Sequence, residues 1–224
     1  MWIVWWGTND MKILVVTGGI GSGKSVVCSV LSSLGFKWQY NADSRVKRLY
    51  DECPLLLDAV EKVVGIPLRN EAGVFVPALL AGRIFSDDNL LSAVEDLVFD
   101  ALEKDFSSFL DTVPSSVEYV VFESATILEK SRFKGFGDIV VLVDAPMEVR
   151  MERACKRDSA SRESVLSRMK KQSLMNSVSS VGEPDLGSIG VDYLLKNDVS
   201  EDVLRHRVAE MVTEMGLVPD NIEN

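Results

Sequence analysis

The eight residues Gly18-Gly19-Ile20-Gly21-Ser22-Gly23-Lys24-Ser25 constrain this chain more than any other segment. They follow the apolar run Ile13-Leu14-Val15-Val16 and precede Val26-Val27-Cys28-Ser29-Val30-Leu31, so a strand, a glycine loop and a helix succeed one another. In that context G-x-x-x-x-G-K-S reads as a P-loop. Glycines let backbone N–H groups converge on an anion, and the helix N-terminus adds partial positive charge. The stretch Gly19, Ile20, Gly21, Ser22, Gly23, Lys24, Ser25 and Val26 is therefore expected to cradle a nucleoside triphosphate. Lys24 would reach the terminal phosphates, and the Ser25 hydroxyl would ligate magnesium. The alternative is a glycine-rich turn that holds nothing.

Apolar runs alternate with helical patterns along the rest of the chain, which implies an α/β fold. Strands are expected at 12–17, 36–40, 117–122, 138–143 and 191–195, each short and rich in Val, Ile, Leu or aromatics, as in a parallel sheet buried on both faces. The first helix should run from Lys24 to Leu34, with Gly35 closing it, and a second from Asp43 through Tyr50. The alternation stops between 52 and 113, where helical patterns dominate at Pro54–Val64, Pro77–Phe85 and Asn89–Phe109. The whole is a P-loop parallel five-stranded sheet with helices on both faces, a helical insertion at 52–113 and a helical lid at 146–172. Long crossover connections are the other reading of 52–113. Residues 1–10 read as an extension ahead of Met11, 11–215 as the P-loop domain, 216–224 as a tail, and Ser177–Gly190 as a mobile loop.

A formal net charge of −10 argues against a nucleic-acid partner, because phosphate neutralisation needs a basic face. The apolar start Met1-Trp2-Ile3-Val4-Trp5-Trp6 is too short to span a membrane, and it lacks the charged region of a signal peptide. Cys28, Cys53 and Cys155 are far apart, which fits no zinc spacing and suggests a reducing cytoplasm. Small molecules remain as partners, for a monomer or small homo-oligomer.

The second strand leads into Tyr40-Asn41-Ala42-Asp43. Ligands of open sheets sit outside the carboxyl ends of the strands, and this end is expected next to the P-loop strand. Asp43 there would orient an acceptor hydroxyl and take its proton, or else cap a helix. Lys47, one turn on, would contact substrate phosphate or pair with Asp43. Residues 150–171 carry eight basic against three acidic side chains, an excess of five positive charges in an acidic chain. Arg153 and Arg157, on one helical face, read as a phosphate clamp rather than solvated charge, with Arg162 and Arg168 as further candidates. Asp158-Ser159-Ala160-Ser161 divides this stretch into two helices that would close as a lid and exclude water. Glu123 and Glu129 would hold magnesium through water or position substrate, or else are surface acids or caps. Asn197-Asp198 would touch the adenine or form a simple turn, and His206 and the tryptophans read as bland.

These stretches together resemble the dephospho-CoA kinase family, within the nucleoside-monophosphate-kinase-like group of P-loop kinases. The residues that carry the resemblance are Thr17–Ser25, Asn41-Ala42-Asp43, Ala125–Glu129, Arg153–Asp158, Arg168 with Gln172, and Asp192–Asp198. The resemblance covers nearly all of 11–215. It implies ATP- and magnesium-dependent transfer of the γ-phosphate to the ribose 3′-hydroxyl of dephospho-CoA, the last step of coenzyme A synthesis. It further implies a helical CoA-binding subdomain, Asp43 as base and Arg157 on phosphates. Asn41 departs from the Asp of many members, a His-Pro pair is replaced by Val98-Phe99-Asp100, and the segment between Gln172 and Asp192 is longer than usual. Another small-molecule P-loop kinase, acting on a nucleoside or sugar, is the alternative function, with a non-catalytic nucleotide-binding regulator behind it. A GTPase is excluded, because neither D-x-x-G nor N-K-x-D occurs.

Overall fold

The computed structural model describes residues 11–84, 87–170, 172 and 186–220. The expectations for residues 1–10, Phe85, Lys171 and 177–185 fall outside them. Two compact units divide the chain: residues up to Tyr40 with those from Pro114 onward, and Asn41–Val113.

The first unit holds a five-stranded sheet, ordered β2-β3-β1-β4-β5. Its strands are β1 (Lys12–Thr17), β2 (Gln39–Asn41), β3 (Tyr119–Ser124), β4 (Ile139–Asp144) and β5 (Tyr193–Lys196). β1 runs parallel to β3, with Leu14 opposite Val121, and to β4, with Val16 opposite Val141. Such runs of Val, Ile and Leu suit strands covered on both faces. One face packs Leu14, Val16, Val121, Val141 and Val143 against α1 (Lys24–Ser33) and α8 (Glu201–Glu214) through Val27, Leu31, Leu204, Val208 and Met211. Phe122 points to the other face, its ring 5.5 Å from Tyr40 and 4.8 Å from Phe136.

Two expectations about the second strand are corrected. The ladder starts later than 36, because α1 closes there in a Schellman turn. Gly35 N–H donates to Ser32 O (3.2 Å) and Phe36 N–H to Leu31 O (3.0 Å), and Gln39 Nε2 then ties down Cys28 O and Phe36 O. The second correction concerns neighbours. β3 lies between β2 and β1, so the end of β2 is not next to the P-loop strand. Carboxylates on the strands that flank it are Glu123, opposite Val16 in the ladder, and Asp144 at the end of β4.

After β4 come α6 (Met147–Asp158) and α7 (Arg162–Lys170). Met151 and Ala154 meet Val165 and Met169 in a small core of their own, and Ile20 from the glycine loop packs against it. Ser159 ends α6 with φ 49, in the left-handed region.

The second unit is helical: α2 (Ala42–Glu52), α3 (Pro54–Val64), α4 (Pro77–Ile84) and α5 (Asp88–Leu110). Pro54 opens α3, where a missing N–H costs nothing. Asp87 caps α5 by accepting from Leu90 N–H at 3.0 Å. Val60, Val64, Leu80, Val94, Val98 and Leu102 are buried, Tyr50 stacks on Phe75 at 4.4 Å, and Arg45 pairs with Asp105 through Nε–Oδ2 at 2.8 Å. Among the described residues, no helix is long and apolar enough to cross a membrane.

Candidate active site

The loop between β1 and α1 has the form that its glycines demand. Gly23 takes φ 98, and a Cβ there would sit 2.1 Å from Asn197 Nδ2, so no other residue fits. Lys24 is buried at the start of α1, and its Nζ donates to Gly18 O at 2.9 Å across the mouth of the loop. Ser25 Oγ donates to Glu123 Oε1 at 2.8 Å. Glu123 is 7% exposed at the end of β3, which corrects its reading as a surface acid or cap. A hydroxyl and a carboxylate oxygen at this spacing are the hard donors that magnesium prefers.

Three members of the expected cradle are engaged by the protein itself. Val26 N–H donates to Gly23 O (3.0 Å) as the helix begins, and Ser22 N–H donates to Gly19 O (3.0 Å) in a tight turn. Ile20 N–H donates to Gln172 Oε1 (2.9 Å). These bonds shape the loop.

The loop is braced from outside. Asn197, 3% exposed after β5, donates Nδ2–H to Ser22 O at 2.7 Å and accepts from Arg153 Nη2 at 3.4 Å. Asn197 is thus more than a turn residue, and Arg153 reaches the loop through it. Arg150 on α6 donates Nε–H to Ile20 O at 3.1 Å. Only 1% of Arg150 is exposed. Burial pulls its pKa below the usual arginine range, and the charge of Asp144 opposes that shift. Gln172 also donates Nε2–H to Ala125 O (3.3 Å).

Reasoning from sequence passed over Arg150 as one charge in a basic run. The signal was available: Met147, Arg150, Met151 and Ala154 share one helical stripe, whose other members are apolar. Glu123 ends an unbroken apolar strand, a similar mark of burial.

The remaining candidates divide. Arg157 is mostly exposed and forks onto Asp158, Nε–Oδ1 2.7 Å and Nη2–Oδ2 3.1 Å, while Arg168 Nη2 reaches the same carboxylate at 2.7 Å. Arg153 and Arg157 therefore part company, one facing the loop and one the α6–α7 junction. Arg162 pairs with exposed Glu148, and His206 with exposed Glu210. Glu129 closes a 3-10 turn, Ile127–Glu129. Asp43 and Lys47 belong to the second unit, on α2. The cap of that helix is Asn41, whose Oδ1 accepts from Ser44 N–H at 2.7 Å, so the capping alternative for Asp43 is corrected.

Asp158 yields a prediction. Its two arginines hold the carboxyl well below the ordinary carboxylate range, Arg157 first and Arg168 next. A depressed pKa means stability that is present above the unfolded value and lost as pH falls through the folded one. Asp158→Asn should lower stability at pH 7 by about 1 kcal/mol, both arginines being largely solvated. The gap between parent and variant thermal midpoints should narrow below about pH 4. A gap that stays constant across that range would contradict the assignment.

Comparison with known proteins decides the family. The model for dephospho-CoA kinase matches residues 12–181. The chain belongs to the dephospho-CoA kinase family. It is a kinase that transfers phosphate to an alcohol. Dephospho-CoA kinase of Porphyromonas gingivalis is 39% identical over 187 residues, 84% of this chain and 86% of that protein. Dephospho-CoA kinase of Aquifex aeolicus is 31% identical, over 72% of this chain and 81% of its own length. The fold is similar to that of TT1252 from Thermus thermophilus, with a TM-score of 0.75 and 25% identity over 93% of this chain and 98% of that one.

Proposed function

We propose that this kinase transfers the γ-phosphoryl group of ATP to the ribose 3′-hydroxyl of dephospho-CoA in the cytoplasm, completing coenzyme A synthesis. What carries the reading is the braced loop, with Lys24 and the Ser25–Glu123 pair at its mouth, in a chain of this family. Gly21, Gly23, Lys24 and Ser25 receive the phosphates through their amides, and the Lys24 ammonium draws the γ-phosphate. The Ser25 and Glu123 oxygens would hold magnesium, which would supply positive charge to offset that of the phosphates. Asp43 orients the 3′-hydroxyl and takes its proton as that oxygen bonds to the γ-phosphorus. The bond from the γ-phosphorus to the bridging oxygen breaks, and ADP leaves. Arg153 and Arg157 serve the phosphates as the lid closes, Arg157 exchanging Asp158 for phosphate. The helical unit Asn41–Val113 receives the CoA moiety.

The test is incubation with ATP and magnesium against dephospho-CoA and a panel of nucleosides and sugars. Turnover of dephospho-CoA well above every other acceptor is expected. Robust turnover of a nucleoside with none of dephospho-CoA would overturn the proposal.

A further inference from the structure

The lid helices do more than flank the loop, because they grip it at one residue. Every part of Ile20 is held by them or by the segment just after them. Its N–H goes to Gln172, its carbonyl to Arg150, and its side chain to the α6–α7 core. The approach is as close as the chain allows. A Cβ on Gly19 would lie 2.0 Å from Arg150 Nη2, and one on Gly21 would lie 2.1 Å from the Arg150 carbonyl oxygen. The guanidinium therefore lies against Gly19, Nη2 nearest, while its Nε–H fixes the next carbonyl. It is among the largest fully buried side chains, and its Nη2 has no hydrogen-bond partner among the described residues. Beside it opens a cavity of about 560 Å³, lined by Asp144, Met147, Met169, Lys170 and Lys196 among others.

Burying a guanidinium is costly, and leaving one of its donors unmatched costs more. Packing alone would be served better by Met or Leu on that apolar stripe. What Arg adds is a charged, directional donor to the Ile20 carbonyl and a fixed positive charge behind the anion-binding turn. A carbonyl held outward keeps the neighbouring peptides from turning their oxygens toward phosphate, which is preorganisation for an anion.

We infer that Arg150 is a positioning residue for triphosphate binding, fixing Gly19-Ile20 so that the amides that follow keep their anion-receiving conformation, and tying the phosphate loop to α6. It acts through the loop and is distinct from the arginines proposed to meet phosphate. The inference rests on the kinase reading only for the identity of the ligand, ATP.

The experiment is a double-mutant cycle on Arg150→Met and Gly19→Ala, read by calorimetric ATP binding without acceptor, well below each variant's melting midpoint. Gly19 does not need a positive φ, so the added methyl acts chiefly by displacing the guanidinium. Each single variant should raise the Kd for ATP about tenfold, the worth of one charge-assisted hydrogen bond. The double variant should be no worse than Arg150→Met alone, since both changes remove the same contact. An Arg150→Met protein that binds ATP within twofold of the parent would overturn the inference, as would losses that multiply in the double variant. If Arg150→Met does not fold, Gly19→Ala alone decides, and an unchanged Kd again overturns it. The proposed acceptor plays no part in this measurement, so dephospho-CoA turnover can fail or succeed independently.

Discussion

Replacing Asp43 with asparagine should lower kcat for dephospho-CoA phosphorylation by about 10²- to 10⁴-fold, the usual worth of a general base. Asparagine has nearly the same shape, so the acceptor pocket should persist while the proton loses its destination. The fold should barely notice. Helix α2 is capped by Asn41 through Ser44 N–H, so its start does not depend on the side chain at 43. Removing the charge gives up a favourable first-turn interaction, about 0.3–1 kcal/mol. A large kinetic defect with an almost unchanged thermal midpoint and ATP Kd is therefore the expected signature. A variant with kcat within twofold of the parent would show that Asp43 is not the base. Glu123 would then become the carboxylate to examine, since it stands at the end of the strand beside the P-loop.

That exchange of carboxylates shows what a sequence can and cannot say about this fold. The elements themselves were legible. The pattern at Pro54–Val64 matches α3 to the residue, and Asn89–Phe109 lies one residue inside α5 at both ends, because local periodicity and a Pro or Asp start are enough. Strand order was not legible. The chain leaves β2 and returns as β3 only after a whole helical unit, a connection long enough to bring β3 in between β2 and β1. No residue in either strand records that. The loop was legible because its glycines, lysine and serine are consecutive. Its braces were not, because Arg150, Gln172 and Asn197 act across 130, 152 and 175 positions in the chain. Charge alone does not tell a buried arginine from an exposed one either. Within one basic stretch, Arg150 is buried against the loop, while Arg157 is spent on its own neighbour Asp158.

Lys24→Met carries the second large expected effect and separates two roles of that lysine. Its Nζ donates to the Gly18 carbonyl at 2.9 Å from a buried position, so it closes the mouth of the loop as well as carrying charge. Methionine keeps most of the length and the apolar packing of the stem while removing both the donor and the charge. Loss of the structural bond should cost about 1 kcal/mol in stability, a modest shift in the thermal midpoint. Loss of the charge should be much larger in catalysis, about 10²- to 10³-fold in kcat, because negative charge spreads over the γ-phosphoryl oxygens as it transfers. The contrast with Arg150→Met makes the pair informative. A residue that positions the loop should show its loss mainly in ATP affinity, whereas a residue that meets the moving phosphoryl group should show it mainly in kcat. A Lys24→Met enzyme that loses ATP affinity alone, with kcat at saturation close to the parent's, would move Lys24 into the positioning class with Arg150. The γ-phosphate would then be left to another cation.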